Sequence, residues 1–334
     1  MRFAKLTLTT RRFPGLVATG VAVLALSACS SSSLPTLTGF AAVRDQAART
    51  ESAASDRATQ LAEVATDCAS CSAALRAVAA ASDERLEALG GLWDPWGGTP
   101  PEGASAPAAV SEAPTDVSAF VAWLARTATR DLEIAADTNR TSADEARTLS
   151  AAALGRYASA VTIAQAYGID LDAGLDQALL VNDRVNAASR QGVQTWSIDL
   201  FDAPGISASF APSGKDLASS QELSSAVATW DCTASTLPQA QVSAGTLSDA
   251  YAVSGELLTR ADTALRAGAA DTRTPRCTLG FLDAPSLASN LLAADSAMLA
   301  SNSSDVRAAG ASAALADIQQ WAPRTSLPAL IGTR

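Results

Sequence analysis

From about residue 40 onward, apolar residues recur every three or four positions, and strand-like alternation is hard to find. That period is the signature of helices with one buried face. A mostly polar, alanine-rich segment from Phe40 to Asp67 reads as one long helix. Leu75, Val78, Leu86 and Leu89 mark the apolar face of a second, from about Cys71 to Leu89, which Gly90-Gly91 ends. The next two dozen residues, GLWDPWGGTPPEGASAPAAVSEAP, hold too much proline and glycine for regular structure. Thr115 is the expected cap of a third helix with the stripe Val117, Phe120, Val121, Leu124 and Ala128, broken at 139–141. Ser142-Ala143-Asp144-Glu145 has the form of a capping box and starts a fourth helix running to about Ala166.

A fifth helix is expected from Leu171 to Arg190, followed by the irregular stretch TWSIDLFDAPGISASFAPSG. Beyond it the opening pattern recurs: VATDCAS at Val64–Ser70 is echoed, with two inserted residues, by VATWDCTAS at Val227–Ser235. A helix then carries Leu247, Tyr251, Ser254, Leu258, Ala261 and Leu265. A second long connection leads to Leu287, Leu291, Ala294 and Met298, and a last helix spans Asp305 to Gln320. Four helices with short first and third connections and one long middle connection make a bundle with a crossover. The expected fold is therefore all-α, with the four-helix bundle duplicated. The segments are a leader at 1–28, a tether at 29–38, a bundle at 39–168, a connecting helix and linker at 169–214, a second bundle at 215–323 and a tail at 324–334.

The leader changes the picture most. Arg2, Lys5, Arg11 and Arg12 precede the apolar run LVATGVAVLALSA at Leu16–Ala28, too short to span a bilayer as a helix, which takes about 20 residues. A basic region followed by a short apolar core is the layout of an export signal. Arg11-Arg12 suggests the twin-arginine route, but Pro14 follows at once and the Sec route fits better. Leu26-Ser27-Ala28-Cys29 resembles the bacterial lipobox. That resemblance implies that the Cys29 thiol is acylated with palmitate-type chains and that the leader is cleaved before it. The tract SSSSLPT after it suits a flexible tether.

The net charge is −10, and loss of a leader with four positive charges takes it to −14. This disfavours nucleic acid, whose phosphates need a basic face. The chain has no histidine, which excludes Ser-His-Asp and Cys-His catalysis and imidazole metal sites. A hydrophobic content of 48%, rich in alanine, with only 5% aromatics, suits close-packed helices.

The segment from Phe40 to Gly168 resembles a ferritin-like domain of unknown function from actinobacterial envelope proteins. The resemblance is carried by Arg85-Leu86-Glu87-Ala88-Leu89, by Asp116 to Arg130 and by Ala143 to Tyr167. A ferritin-like bundle holds a di-metal site built from carboxylates and Glu-x-x-His pairs. Here the histidines are missing, and the fourth helix has no acid between Glu145 and Asp170, so the centre is expected to lack its carboxylates. Glu84 and Glu87 read as solvated surface. Neither a metal nor a cofactor is expected.

Cys68-Ala69-Ser70-Cys71 opens a helix, where free N–H groups favour a thiolate. Exported cysteines are mostly structural disulfides, and a redox role is the alternative; two sulfurs alone do not complete a zinc site. The ferritin-like order puts Cys232 at the end of the second unit's first helix and Cys277 late in its long connection, both at one end and within bonding reach. With Cys29 acylated, four cysteines remain for two bonds. Trp93 and Trp96 in the first crossover either cover the bundle's groove or form a partner-binding loop.

The function expected is a non-enzymatic, lipid-anchored protein on the extracytoplasmic face of the cell membrane, binding or organising an envelope protein or cell-wall component. A thiol–disulfide protein using Cys68 and Cys71 is the alternative. A solute-binding receptor is the weaker one, since no strand-rich lobes are visible.

Overall fold

The computed structural model describes residues 37–98, 112–171, 210, 214, 217–244, 249–277, 279–280 and 283–333. The leader with Cys29, most of the tether, and nearly all of the helix expected at 171–190 lie outside the described residues. Among the described residues the regular structure is all helical, as the periodicity predicts: α1 (Gly39–Val64), α2 (Ala69–Ala88), α3 (Val117–Ala136), α4 (Ala143–Tyr167), α5 (Gln221–Ala244), α6 (Ala250–Arg266), α7 (Ala284–Met298) and α8 (Ser304–Trp321), with one 3-10 turn at Leu217–Ser219.

The helix starts follow local chemistry. Ser142 Oγ accepts from Glu145 N at 3.4 Å and Glu145 Oε2 accepts from Ser142 N at 2.8 Å, the reciprocal box read from the sequence. Asp283 caps α7 by accepting from Ser286 N at 2.9 Å. For α3 the cap is Asp116, not Thr115: its Oδ1 accepts from Ala119 N at 2.9 Å, and a carboxylate also suits the positive end of the helix dipole.

In the first half α1 and α2 form one hairpin and α3 and α4 another. The described ends of the connection after α2 both lie against α1. Trp93 N donates to Asp45 Oδ1 at 2.9 Å, and farther up Arg57 Nε donates to the Ala113 carbonyl at 2.8 Å. Thus α3 starts beside the end of α1 and runs parallel to α2. At the end where α1 begins, Val43, Ala47, Leu89, Ile134, Ala135, Ala146 and Leu149 pack together.

The second half repeats this order: α5–α6, a long connection, then α7–α8. Here the connection climbs the first helix, with Thr272 Oγ1 donating to the Ser224 carbonyl at 2.8 Å and Cys277 bonded to Cys232. Two sequence expectations are corrected. Helix α5 does not end at Cys232 but continues through Pro238 to Ala244, so the disulfide grips the helix partway along its length. Pro238 has no N–H for the Ala234 carbonyl, and the buried Ser254 hydroxyl on α6 donates to that carbonyl at 2.7 Å in its place. The stripe expected on α6 is also rotated: Tyr251 and Leu258 are 71% and 41% exposed, and Val253, Leu257, Ala261 and Ala264 face the core.

The halves share one interior. Leu292, Leu299, Leu315 and Ile318 join the apolar cluster of α3 and α4. Arg307 on α8 is buried and reaches the end of α3, donating to the Ala135 carbonyl at 3.0 Å and to the Thr141 carbonyl at 3.1 Å. Burial pulls its guanidinium below the ordinary arginine range. The residues after α8, expected as a tail, are part of the fold. Ile331 is buried and its N–H donates to the Ala151 carbonyl of α4 at 3.2 Å. The Ala329 carbonyl lies so close to Gly155 that an added Cβ would sit 1.8 Å from its oxygen, so only glycine admits the segment there.

Candidate functional site

The centre of the first half is charged, which corrects the expectation that it lacks carboxylates. Each helix contributes one residue: Glu51 from α1, Arg85 from α2, Asp131 from α3 and Arg156 from α4, all buried. Glu51 bridges both cations: Oε2 accepts from Arg85 Nε at 2.9 Å and Oε1 from Arg156 Nε at 2.8 Å. Asp131 Oδ2 accepts from Arg156 Nη1 at 2.8 Å. Ser82 and Ser159 accept from the remaining Arg85 nitrogens at 2.8 and 3.3 Å. Burial drags the Arg85 guanidinium down, only partly offset by Glu51. For Arg156 burial acts the same way, but Glu51 and Asp131 together outweigh it and raise the group. The carboxylate oxygens here already serve guanidinium N–H groups, and a metal cation would meet two fixed positive charges. Glu84 and Glu87 stand exposed on either side of Arg85 in sequence, as expected for surface.

The second half has its own polar centre, again one residue per helix: Trp230, Arg260, Asp295 and Asp317. Trp230 Nε1 donates to Asp295 Oδ1 at 2.9 Å, Arg260 Nη2 donates to Asp317 Oδ1 at 2.8 Å, and the Arg260 guanidinium lies 5.4 Å from the Trp230 ring centre. Two carboxyls face one cation. Asp295 Oδ2 and Asp317 Oδ2 are each buried without a hydrogen bond, and Arg260 Nη1 stands 4.0 Å from the first. Burial, then the charge of Asp317, pushes the Asp295 carboxyl well above the usual carboxylate range, with Arg260 opposing. A proton retained on Asp295 would supply a donor at this centre. Helix by helix the centres correspond in part: an arginine on each second helix and an aspartate on each third. The VATDCAS echo does not correspond, since Cys68 caps α2 and Cys232 lies within α5.

All four cysteines within the described residues are paired, Cys68 with Cys71 and Cys232 with Cys277. Cys68 is the N-cap of α2, half-buried, its sulfur accepting from Cys71 N at 3.2 Å and lying 3.3 Å from the Ser70 hydroxyl; Cys71 is buried. The 45-residue separation of the second bond is worth about 4 kcal/mol of chain constraint, and the three-residue separation of the first only about 2 kcal/mol. The two bonds therefore differ in structural weight.

Trp93 and Trp96 are half-buried at the end where α1 begins. Arg49 holds the turn by donating to Asp45 Oδ2 at 2.7 Å and to the Trp93 carbonyl at 3.3 Å, while Leu92 beside them is 48% exposed. A cleft of about 420 Å³ lies between α2, α4 and residues 322–329, lined mainly by Ala77, Ala81, Ala158, Thr162, Leu327 and the stem of Arg85. Among the described residues no cluster of three or more cysteine, aspartate and glutamate side chains is arranged to hold a metal, and no helix is long and apolar enough to cross a membrane.

These features define an all-helical, disulfide-bonded protein of two helical halves, each closed around buried ionisable groups. No protein-family model matches the chain, and neither the curated proteins nor the solved structures contain a match.

Proposed function

We propose that the protein is a lipoprotein of the extracytoplasmic face of the cell membrane, anchored through Cys29, whose helical body binds or organises an envelope component without chemistry of its own. One observation carries this reading: a basic leader and a thirteen-residue apolar core end in Leu26-Ser27-Ala28, directly before Cys29, with the serine tract behind it. The resemblance of residues 40–168 to ferritin-like envelope domains supports it. So does the first centre, whose carboxylates are already paired with arginines. A diacylated cysteine suffices as an anchor, because two chains hold stably where one binds only marginally.

Cys29→Ser removes the thiol that accepts the lipid, and the protein is expected to persist as a larger, unprocessed or mislocalised precursor on immunoblots of fractionated cells. Wild-type size and complete membrane fractionation of this variant would refute the proposal.

A second reading has its own observation. A half-buried Cys68 at a helix N-cap, bonded to a buried Cys71 three residues on, is the arrangement of a thiol–disulfide exchange site. Equilibration of the full chain against glutathione buffers separates the two. A reduction potential below about −300 mV marks a structural bond, and one between about −120 and −200 mV marks an exchange-active pair.

A further inference from the structure

We infer that the turn Leu92-Trp93-Asp94-Pro95-Trp96 is a membrane-contact surface that seats the helical body on the lipid interface beside its own anchor. The inference rests on the lipid-anchored reading and adds an orientation to it. Only nine residues, Ser30–Thr38, separate Cys29 from Gly39, where α1 starts. A flexible chain of that length spans about 17 Å on average. Helix α1, with 26 residues, is about 39 Å long. The tether therefore keeps the α1 start close to the bilayer and the far end of the bundle away from it.

The Trp93–Trp96 turn is fixed to that near end. Asp45 and Arg49, in the second and third turns of α1, hold both the Trp93 N–H and its carbonyl. Leu92 is 48% exposed, the two tryptophans are half-buried, and Phe40 at the first turn of α1 is half-buried in the same end cluster. Tryptophan carries a broad apolar ring with one N–H, and it concentrates where hydrocarbon meets headgroups. Arg44 is exposed and lies over Gly90, within reach of a lipid phosphate. The neighbouring exposed acids, Glu87 and Asp94, favour a shallow seat among the headgroups over deep insertion. By the same geometry the Cys68–Cys71 bond, at the opposite end of α2, faces away from the membrane.

The test uses lipidated full-length mature protein in vesicles of phosphatidylethanolamine and phosphatidylglycerol with brominated acyl chains, which quench only nearby tryptophans. The turn holds two of the chain's six tryptophans, so a loss of emission of up to about a third is expected relative to unbrominated vesicles. Trp93→Phe/Trp96→Phe, checked for helicity by circular dichroism, is expected to abolish that loss while membrane binding persists. The two single substitutions serve if the pair unfolds, each then removing part of the quenching. Equal fractional quenching in the wild type and in every one of these variants, with the lipid present by mass spectrometry, would overturn the inference and leave the anchor intact. It would assign the turn to a protein partner instead. Absence of the lipid would overturn both.

Discussion

Glu51→Gln is expected to lower unfolding free energy by about 3–5 kcal/mol, the typical loss when one partner of a buried ion pair is removed. Glutamine keeps the shape and removes the charge. Arg85 then has no carboxylate partner, and Arg156 keeps only Asp131 at 2.8 Å. Urea unfolding followed by circular dichroism measures the change, which should appear in the midpoint. Replacing all four charged residues by leucine is the control, since an apolar centre of similar volume is often as stable as the ion pairs it replaces. Full recovery there, beside the loss in Glu51→Gln, would show that the centre is held by charge balance and not by shape. A loss below 1 kcal/mol in Glu51→Gln would mean that water reaches the site.

The second large effect is a pH dependence with an unusual sign. The Asp295 carboxyl is held well above its ordinary value by burial and by Asp317, so the folded chain keeps a proton that the unfolded chain releases. The associated stability is fully present below the ordinary carboxylate range and is lost as pH rises through the folded value. The loss approaches about 1.4 kcal/mol per pH unit for a single proton. Asp295→Asn imitates the protonated acid: its Oδ1 still accepts from Trp230 Nε1, and its amide offers a donor to Asp317. The variant should match wild type at low pH and become progressively more stable than it as pH rises. Melting temperatures recorded across that range test this; a constant difference between the two proteins would exclude the retained proton.

The helices were legible because what makes a helix is local. The capping box at Ser142 and Glu145, the Gly90-Gly91 stop and the three-four spacing on α3 and α7 need no information from elsewhere in the chain. The cap of α3 falls one residue from the expected Thr115: the structure uses Asp116 beside it, whose Oδ1 accepts from Ala119 N. On α6, Tyr251 and Leu258 keep the correct spacing but occupy the wrong face. Val253, Leu257, Ala261 and Ala264 take the face toward the core instead, and Tyr251 and Leu258 turn outward.

From sequence alone came the all-helical class, the two sets of four helices and the exclusion of histidine chemistry, and the proposed anchor rests on the sequence alone. The charged centres belong to the tertiary structure. Glu51 meets Arg85 across 34 residues and Arg156 across 105, and Arg156 meets Asp131 across 25. No periodic pattern predicts which charge meets which over such separations. One signal was present: Arg156 is a single cation inside the run AAALGRYASAVTIAQAY, where every neighbour within a turn is small or apolar. A charge is stable there only if another helix brings a counter-charge to it, and that partner is fixed by how the helices pack.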